Sequence, residues 1–159
     1  MAASSLVELE QNSVRRYASR PLFGTRHDGT WSWLSYREVG ELVDEIRGGL
    51  AALGVRHGDR VAIVSRNSAE WAAAAYATYG LGATFVPMYE AQRAQDWEFI
   101  LRDCGASVVF ARGEGIAEAL TEMQPRLSAL RHVVTTEGDG ARSLRELRET
   151  GRAQPVEAI

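Results

Sequence analysis

Four side chains in this chain are of types that carry chemistry on their own: Cys104, His27, His57 and His132. A nucleophile needs a partnering base, and a metal needs several ligands at short spacing. The three histidines stand far apart, and none lies near another ligand in a metal-binding pattern. His27 and His57 fall in Gly-containing turns, and His132 begins a strand-like run. Cys104 lies on the apolar side of a helical pattern with Trp97, Ile100 and Leu101, which reads as a structural thiol. No G-x-S-x-G elbow is present. The nearest approach to a phosphate loop is Gly113-Glu114-Gly115 after an apolar run. It lacks the third glycine and reads as a turn or helix start. All 18 basic residues are arginine, so a Schiff base, a lysine general base and a phosphate-loop lysine are excluded.

Carboxylates and aromatics offer weaker leads. Glu41, Asp44 and Glu45 occupy the polar side of an amphipathic pattern, which reads as a solvated face. Trp31 and Trp33 alternate on a strand and therefore share one face. Packing against the core or a neighbouring subdomain is the expectation for that pair, with a ligand platform as the alternative. Trp71 and Trp97, each near a helix start, read as anchors. No catalytic, cofactor-binding or metal-ligating residue is assigned from these observations.

The elements that would have to position a site are legible. Ser5 to Glu8 and Ser35 to Glu38 both have the capping-box pattern, in which a Ser hydroxyl and a Glu carboxylate satisfy each other's backbone amides. Leu34 is placed to staple against Val39. Val39, Leu42, Val43, Ile46, Leu50 and Leu53 form a helical stripe that Gly54 closes. Runs 22–25 and 30–34, separated by Asp28-Gly29, predict a hairpin. Val61 to Val64 has no alternation, as in a strand buried on both faces. The unit then repeats. A helix capped at Asn67-Ser68-Ala69-Glu70 runs through Tyr79, and strands follow at 83–88, 107–111 and 132–135. Helical faces lie at 97–104 and 116–127, the second interrupted near Pro125. A last cap at Ser143 to Glu146 starts a helix ending near Gly151.

The expected fold class is therefore α/β, a mainly parallel sheet flanked by helices on both faces, with residues 1–159 as a single unit. The composition, 45% apolar and 25% charged with net charge −3, is that of a folded globular chain. Scattered arginines without a basic stripe argue against nucleic-acid binding. The lone cysteine fits a reducing compartment, with cytoplasm as the default. No signal-peptide pattern and no apolar run of membrane-spanning length are visible. Residues 152–159 carry no stop signal and read as a truncation.

Longer strings carry a resemblance. Phe23-Gly24-Thr25-Arg26, Gly29-Thr30-Trp31-Ser32-Trp33 and Ser35 to Glu38 come in order with Gly54 to Ile63 and Asn67 to Trp71. The runs Gly80 to Glu90 and Phe99 to Ala106 follow. Together, over about Pro21 to Arg112, they resemble the AMP-forming acyl-CoA synthetases of the adenylate-forming superfamily, most closely the long-chain fatty acid-CoA ligase branch. The resemblance implies a parent enzyme that joins a fatty acid to coenzyme A through an acyl-adenylate, using ATP and Mg²⁺. In that family a Ser/Thr/Gly-rich loop and a lysine from a C-terminal domain act on the phosphates. Neither is in this chain, so the resemblance implies the first part of a larger N-terminal AMP-binding domain, inactive in isolation and binding none of these cofactors. A stand-alone acyl- or nucleotide-binding module, and part of an aryl-CoA ligase or peptide-synthetase adenylation domain, are the alternatives.

Peripheral membrane contact is compatible with this reading. Apolar surface that packs on further parts of such a domain would be bare in a chain of this length, which favours self-association. Light scattering across a concentration series is expected to show an apparent mass rising above that of the 17.5 kDa monomer. A constant monomer mass would refute this.

Overall fold

The first ordered element is helix α1, Leu6–Tyr17. Ser5 caps it by accepting from the Glu8 amide at 3.1 Å. The Glu8 carboxylate does not return to Ser5 as a capping box requires. It accepts instead from the Ser4 amide and hydroxyl, each at 2.7 Å. The computed structural model describes residues 3–159. Strands β1, Pro21–His27, and β2, Thr30–Ser35, form an antiparallel hairpin. Asp28 and Gly29 turn it with φ of 47° and 83°, the left-handed pair that a tight two-residue hairpin needs. Pairing persists to His27↔Thr30, so β1 runs closer to the turn than its apolar content suggests, while β2 begins at Thr30 as expected.

Helix α2, Tyr36–Ala52, starts on the predicted capping box. Ser35 Oγ accepts from the Glu38 amide at 3.3 Å, and the Glu38 carboxylate accepts from the Ser35 amide at 2.7 Å. Gly54 closes the helix at φ 87°. There follow β3 (Arg60–Val64), α3 (Ala69–Gly80), β4 (Thr84–Met88) and α4 (Ala94–Cys104). The chain continues with β5 (Val108–Ala111), α5 (Glu114–Met123), β6 (His132–Thr135) and α6 (Leu144–Ala153). After α5 a 3₁₀ turn over Gln124–Arg126 takes up Pro125, which ends the regular helix.

The four later strands form one sheet in the order β4-β3-β5-β6, every pair parallel. Pro87 is compatible with β4 because β4 is an edge strand. Val61 to Val64 are all fully buried, and their side chains alternate between two cores. Val61 and Ile63 join Val108, Phe110 and residues of α2, α3 and α6 on one face. Ala62 and Val64 join Val109, Ala111 and residues of α4 and α5 on the other. Each aliphatic side chain buried this way stabilises the fold by about 1.5–3 kcal/mol. The expected α/β sheet with helices on both faces is thus the observed architecture.

Helix α6 seats on α2 through backbone. A Cβ on Gly151 would overlap the Glu45 carbonyl and lie 2.6 Å from the Gly49 nitrogen. A Cβ on Gly48 would lie 2.6 Å from the Gly151 carbonyl oxygen. The seam is closed by charge. Arg148 Nε donates to the Glu45 carboxylate at 2.7 Å, and Arg152 Nη2 donates to it at 2.7 Å. Glu45, read as part of a solvated face, is only 14% exposed, whereas Glu41 and Asp44 do face solvent. Its partners lie more than 100 positions away and belong to no local pattern. Residues 154–159 are not loose either. The Arg47 Nε donates to the Val156 carbonyl at 2.7 Å, and the Ile159 amide donates to the Gly80 carbonyl at 3.0 Å.

Gly151→Ala is expected to lower unfolding free energy by at least about 2 kcal/mol, because neither helix backbone can yield locally. Gly115→Ala, where the added methyl meets nothing within 4 Å, is expected to raise stability by about 0.5 kcal/mol through helix propensity. Urea denaturation of both variants checks this, and equal effects would contradict the close-packed seam.

Candidate functional site

In an open parallel sheet, ligands collect at the carboxyl ends of the strands, beside the point where strand order reverses. Here β4 lies on one side of β3 and β5 on the other, so that point is the crevice between the ends of β3 and β5. Backbone bonds run one step past the strands and hold it. The Ser65 amide donates to Met88 O at 3.3 Å, the Arg112 amide to Val64 O at 3.0 Å, and the Thr136 amide to Ala111 O at 2.9 Å. Ser65 is buried, its hydroxyl donating to Arg66 O at 2.7 Å.

Arg112 follows β5 and lies between two carboxylates. Its Nη1 is 3.3 Å from Glu90, beyond β4, and its Nε is 3.1 Å from Glu137, beyond β6. With 27% of the side chain exposed, this guanidinium ties three strand ends together. It is already paired on both sides, so it positions loops. Motif search missed this cluster. The available signal was a charged residue one or two positions beyond each of three strands.

The residues singled out from sequence are not gathered here. Cys104 ends α4, half-buried, and the Arg60 guanidinium at the start of β3 donates to the Cys104 carbonyl at 2.7 Å. It therefore sits at the opposite, amino end of the sheet. His57 precedes β3 and His132 opens β6, also at the amino end, while His27 is in the hairpin. Burial and the Arg131 charge hold the His132 imidazole below its ordinary range. Gly113, at φ 78°, starts α5 as expected of a helix start. Glu114 and Glu137 lie against this loop, so negative charge already stands where a phosphate would bind.

Trp97 anchors α4, its Nε1 donating to Tyr89 O at 2.9 Å. Trp71 packs edge-on to Phe85 with ring centroids 5.3 Å apart. The hairpin pair does not join the core formed by these residues. Trp31 and Trp33 stack on each other at 5.7 Å but stay 55% and 57% exposed. They cover Gly24 on the adjacent strand, where a Cβ would lie 2.8 Å from the Trp33 ring. Aromatic shielding of a strand glycine replaces core packing.

The chain has no lysine, and among the described residues no group of three or more His, Cys, Asp or Glu could hold a metal ion. No helix among them is long and apolar enough to cross a membrane.

A parallel sheet covered on both faces, with polar groups at its strand ends, defines a scaffold of the α/β class. More particularly, the chain belongs to the AMP-binding enzyme family, which it matches over residues 10–158. It is 36% identical over 124 residues to the long-chain-fatty-acid–CoA ligase FadD15 of Mycobacterium tuberculosis, covering 78% of this chain and 21% of that protein. Long chain acyl-CoA synthetase 4 of Arabidopsis thaliana is 29% identical over 143 residues, covering 87% and 21%. Among solved structures, the anthranilate CoA ligase AuaEII, in complex with anthranoyl-AMP, superposes with a TM-score of 0.79. Its identity is 24%, over 96% of this chain and 28% of that one. The chain thus spans about a fifth of the length of these curated relatives.

One carboxyl is strongly perturbed, and it lies off the strand ends. Burial and the nearby Asp44 charge push Glu10 of α1 up to about 7, against the pull of Arg47 and Arg15. Arg47 packs on Gly80, near the start of β4 at the amino end, so Glu10 is a packing group and not an acid facing the crevice. Folded Glu10 holds its proton more tightly than the unfolded chain, whose ordinary value is 4.5. Its contribution to stability is therefore present at low pH and lost as pH rises through about 7. Glu10→Gln is expected to match the parent chain near pH 5 and exceed it at pH 8. Urea midpoints at the two pH values measure this, and an unaltered pH dependence in the variant would count against it.

Proposed function

We propose that this chain is the first part of the N-terminal domain of an AMP-forming long-chain fatty acid-CoA ligase, serving as scaffold and carrying no catalytic residue itself. The observation that supports this best is the 36% identity to FadD15 over 124 residues. In this reading the parent enzyme converts a fatty acid, ATP and coenzyme A to acyl-CoA, AMP and pyrophosphate in the cytoplasm. ATP, Mg²⁺ and coenzyme A are held by parts of the enzyme beyond these residues. Peripheral membrane contact and self-association through bare apolar surface belong to the same proposal. The fold likeness to the anthranilate ligase favours an aryl-CoA ligase as the second reading.

The chain's own contribution is positional. Its sheet presents the Arg112 cluster and the crevice beside it as one rigid edge, which fits a supporting wall for chemistry done by other segments. Replacing the matching segment of FadD15 with this chain is expected to leave a ligase that forms long-chain acyl-CoA. The 159-residue chain alone is expected to catalyse no ATP–pyrophosphate exchange. A folded chimaera active only on aryl acids would move the assignment to the second reading, and exchange by the isolated chain would overturn the scaffold role.

A further inference from the structure

A cavity of about 230 Å³ lies between the edge strand β6, the end of α2 and helix α6. Leu53, Val133 and Leu147 give it an apolar wall. Arg131 and Arg142 also line it. Neither guanidinium has an ion pair among the described residues, and only the backbone groups of these two arginines are engaged in hydrogen bonds. The amino end of α6, a helix of 10 residues capped by Ser143, opens on the same space and adds positive potential. Glu146 is the one acidic side chain in the lining, and it too has no ion pair among the described residues. Gln124 uses its amide nitrogen on the Leu130 and Arg131 carbonyls, which leaves its oxygen free to accept. The neighbouring cleft against α5 differs. Arg142 borders it as well, but Glu114, Glu118 and Glu122 line it and would repel an anion.

Two free guanidiniums beside a helix start match an oxyanion of nearly two charges, which a phosphate monoester carries near neutral pH. The ester's carbon atoms then meet the apolar wall, and its hydroxyls find acceptors in Glu146, Thr150 and the Gln124 oxygen. Size decides against a nucleotide, because the space falls below the roughly 300 Å³ at which sites for drug-sized ligands begin. We propose that this cavity binds a short-chain phosphorylated polyol, independently of the ligase assignment. The site stands apart from the strand-end crevice, since Arg131 immediately precedes β6 at the amino end of the sheet. A ligand there touches α2, α6 and β6 together, and so braces the seam at which Gly49 meets Leu147.

Titration calorimetry of the 159-residue chain with sn-glycerol 3-phosphate tests this, and saturable one-to-one binding is expected. Inorganic phosphate and glycerol should each bind about tenfold more weakly or less, and AMP should not bind. Binding of the ester should fall about tenfold or more in Arg131→Gln/Arg142→Gln. It should be unchanged in Arg56→Gln/Arg66→Gln, which removes equal charge elsewhere. Absence of binding by glycerol 3-phosphate, or equal losses in the two double variants, would overturn the proposal. So would inorganic phosphate binding as tightly as the ester, which would leave a bare anion patch, and AMP binding as tightly, which would contradict the size limit. If the Arg131/Arg142 double variant loses its near-UV spectrum, Arg142→Gln alone carries the comparison.

Discussion

A parallel sheet whose central strands have no solvent face imposes the rest of this molecule. Val61 to Val64 and Val108 to Ala111 are fully buried, so helices must cover both sides of the sheet and every connection must cross over it. Buried strands of this kind have no room for polar side chains. Polar groups are therefore pushed to the strand ends, where Ser65, Glu90, Arg112 and Glu137 gather. The same rule divides the chemically capable residues. Cys104, His57 and His132 belong to connections entering the sheet, and the crevice lies where the chain leaves it.

The exclusive use of arginine gives the long-range contacts their character. A guanidinium donates in a planar fork and grips carbonyl and carboxylate oxygens at once. Arg60 takes the Cys104 and Gly105 carbonyls at 2.7 and 2.9 Å, binding the end of α4 to the start of β3. Arg47 takes both Asp44 and the Val156 carbonyl. Burial opposes the charge on Glu45, yet the hydrogen bonds from Arg152 and Arg148 outweigh it and keep that carboxyl below its ordinary range. These pairs join elements that hydrophobic contact alone would leave free to slide.

The elements were legible in the sequence wherever the signal was local. The Ser35–Glu38 box, the Asp28-Gly29 turn, the unalternating β3 run and the 132–135 strand all rest on neighbours within a few residues. What eluded sequence reading depends on partners brought together by folding. Glu45 looks like any solvated glutamate until α6 arrives, and Gly48, Gly49 and Gly151 become a seam only when apposed. The size of Trp31 and Trp33 points to packing on the core or on a neighbouring subdomain. Yet the strand opposite offered a glycine to cover and no core to join. The Arg112 cluster needed the strand order, which periodicity does not specify.

The docking of residues 154–159 also affects how the fold is assembled in time. Arg47 is buried, and its partner at Val156 lies 109 residues later. On a ribosome delivering about 5–20 residues each second, α2 therefore waits for seconds with a guanidinium held by Asp44 alone and without the carbonyl that its Nε requires. Until the tail emerges, that charge favours a hydrated, loosely closed α2–α3 seam over the final one. Closure of this half of the core thus waits for residues 154–159, and that strap acts as the latch that makes the earlier helices commit.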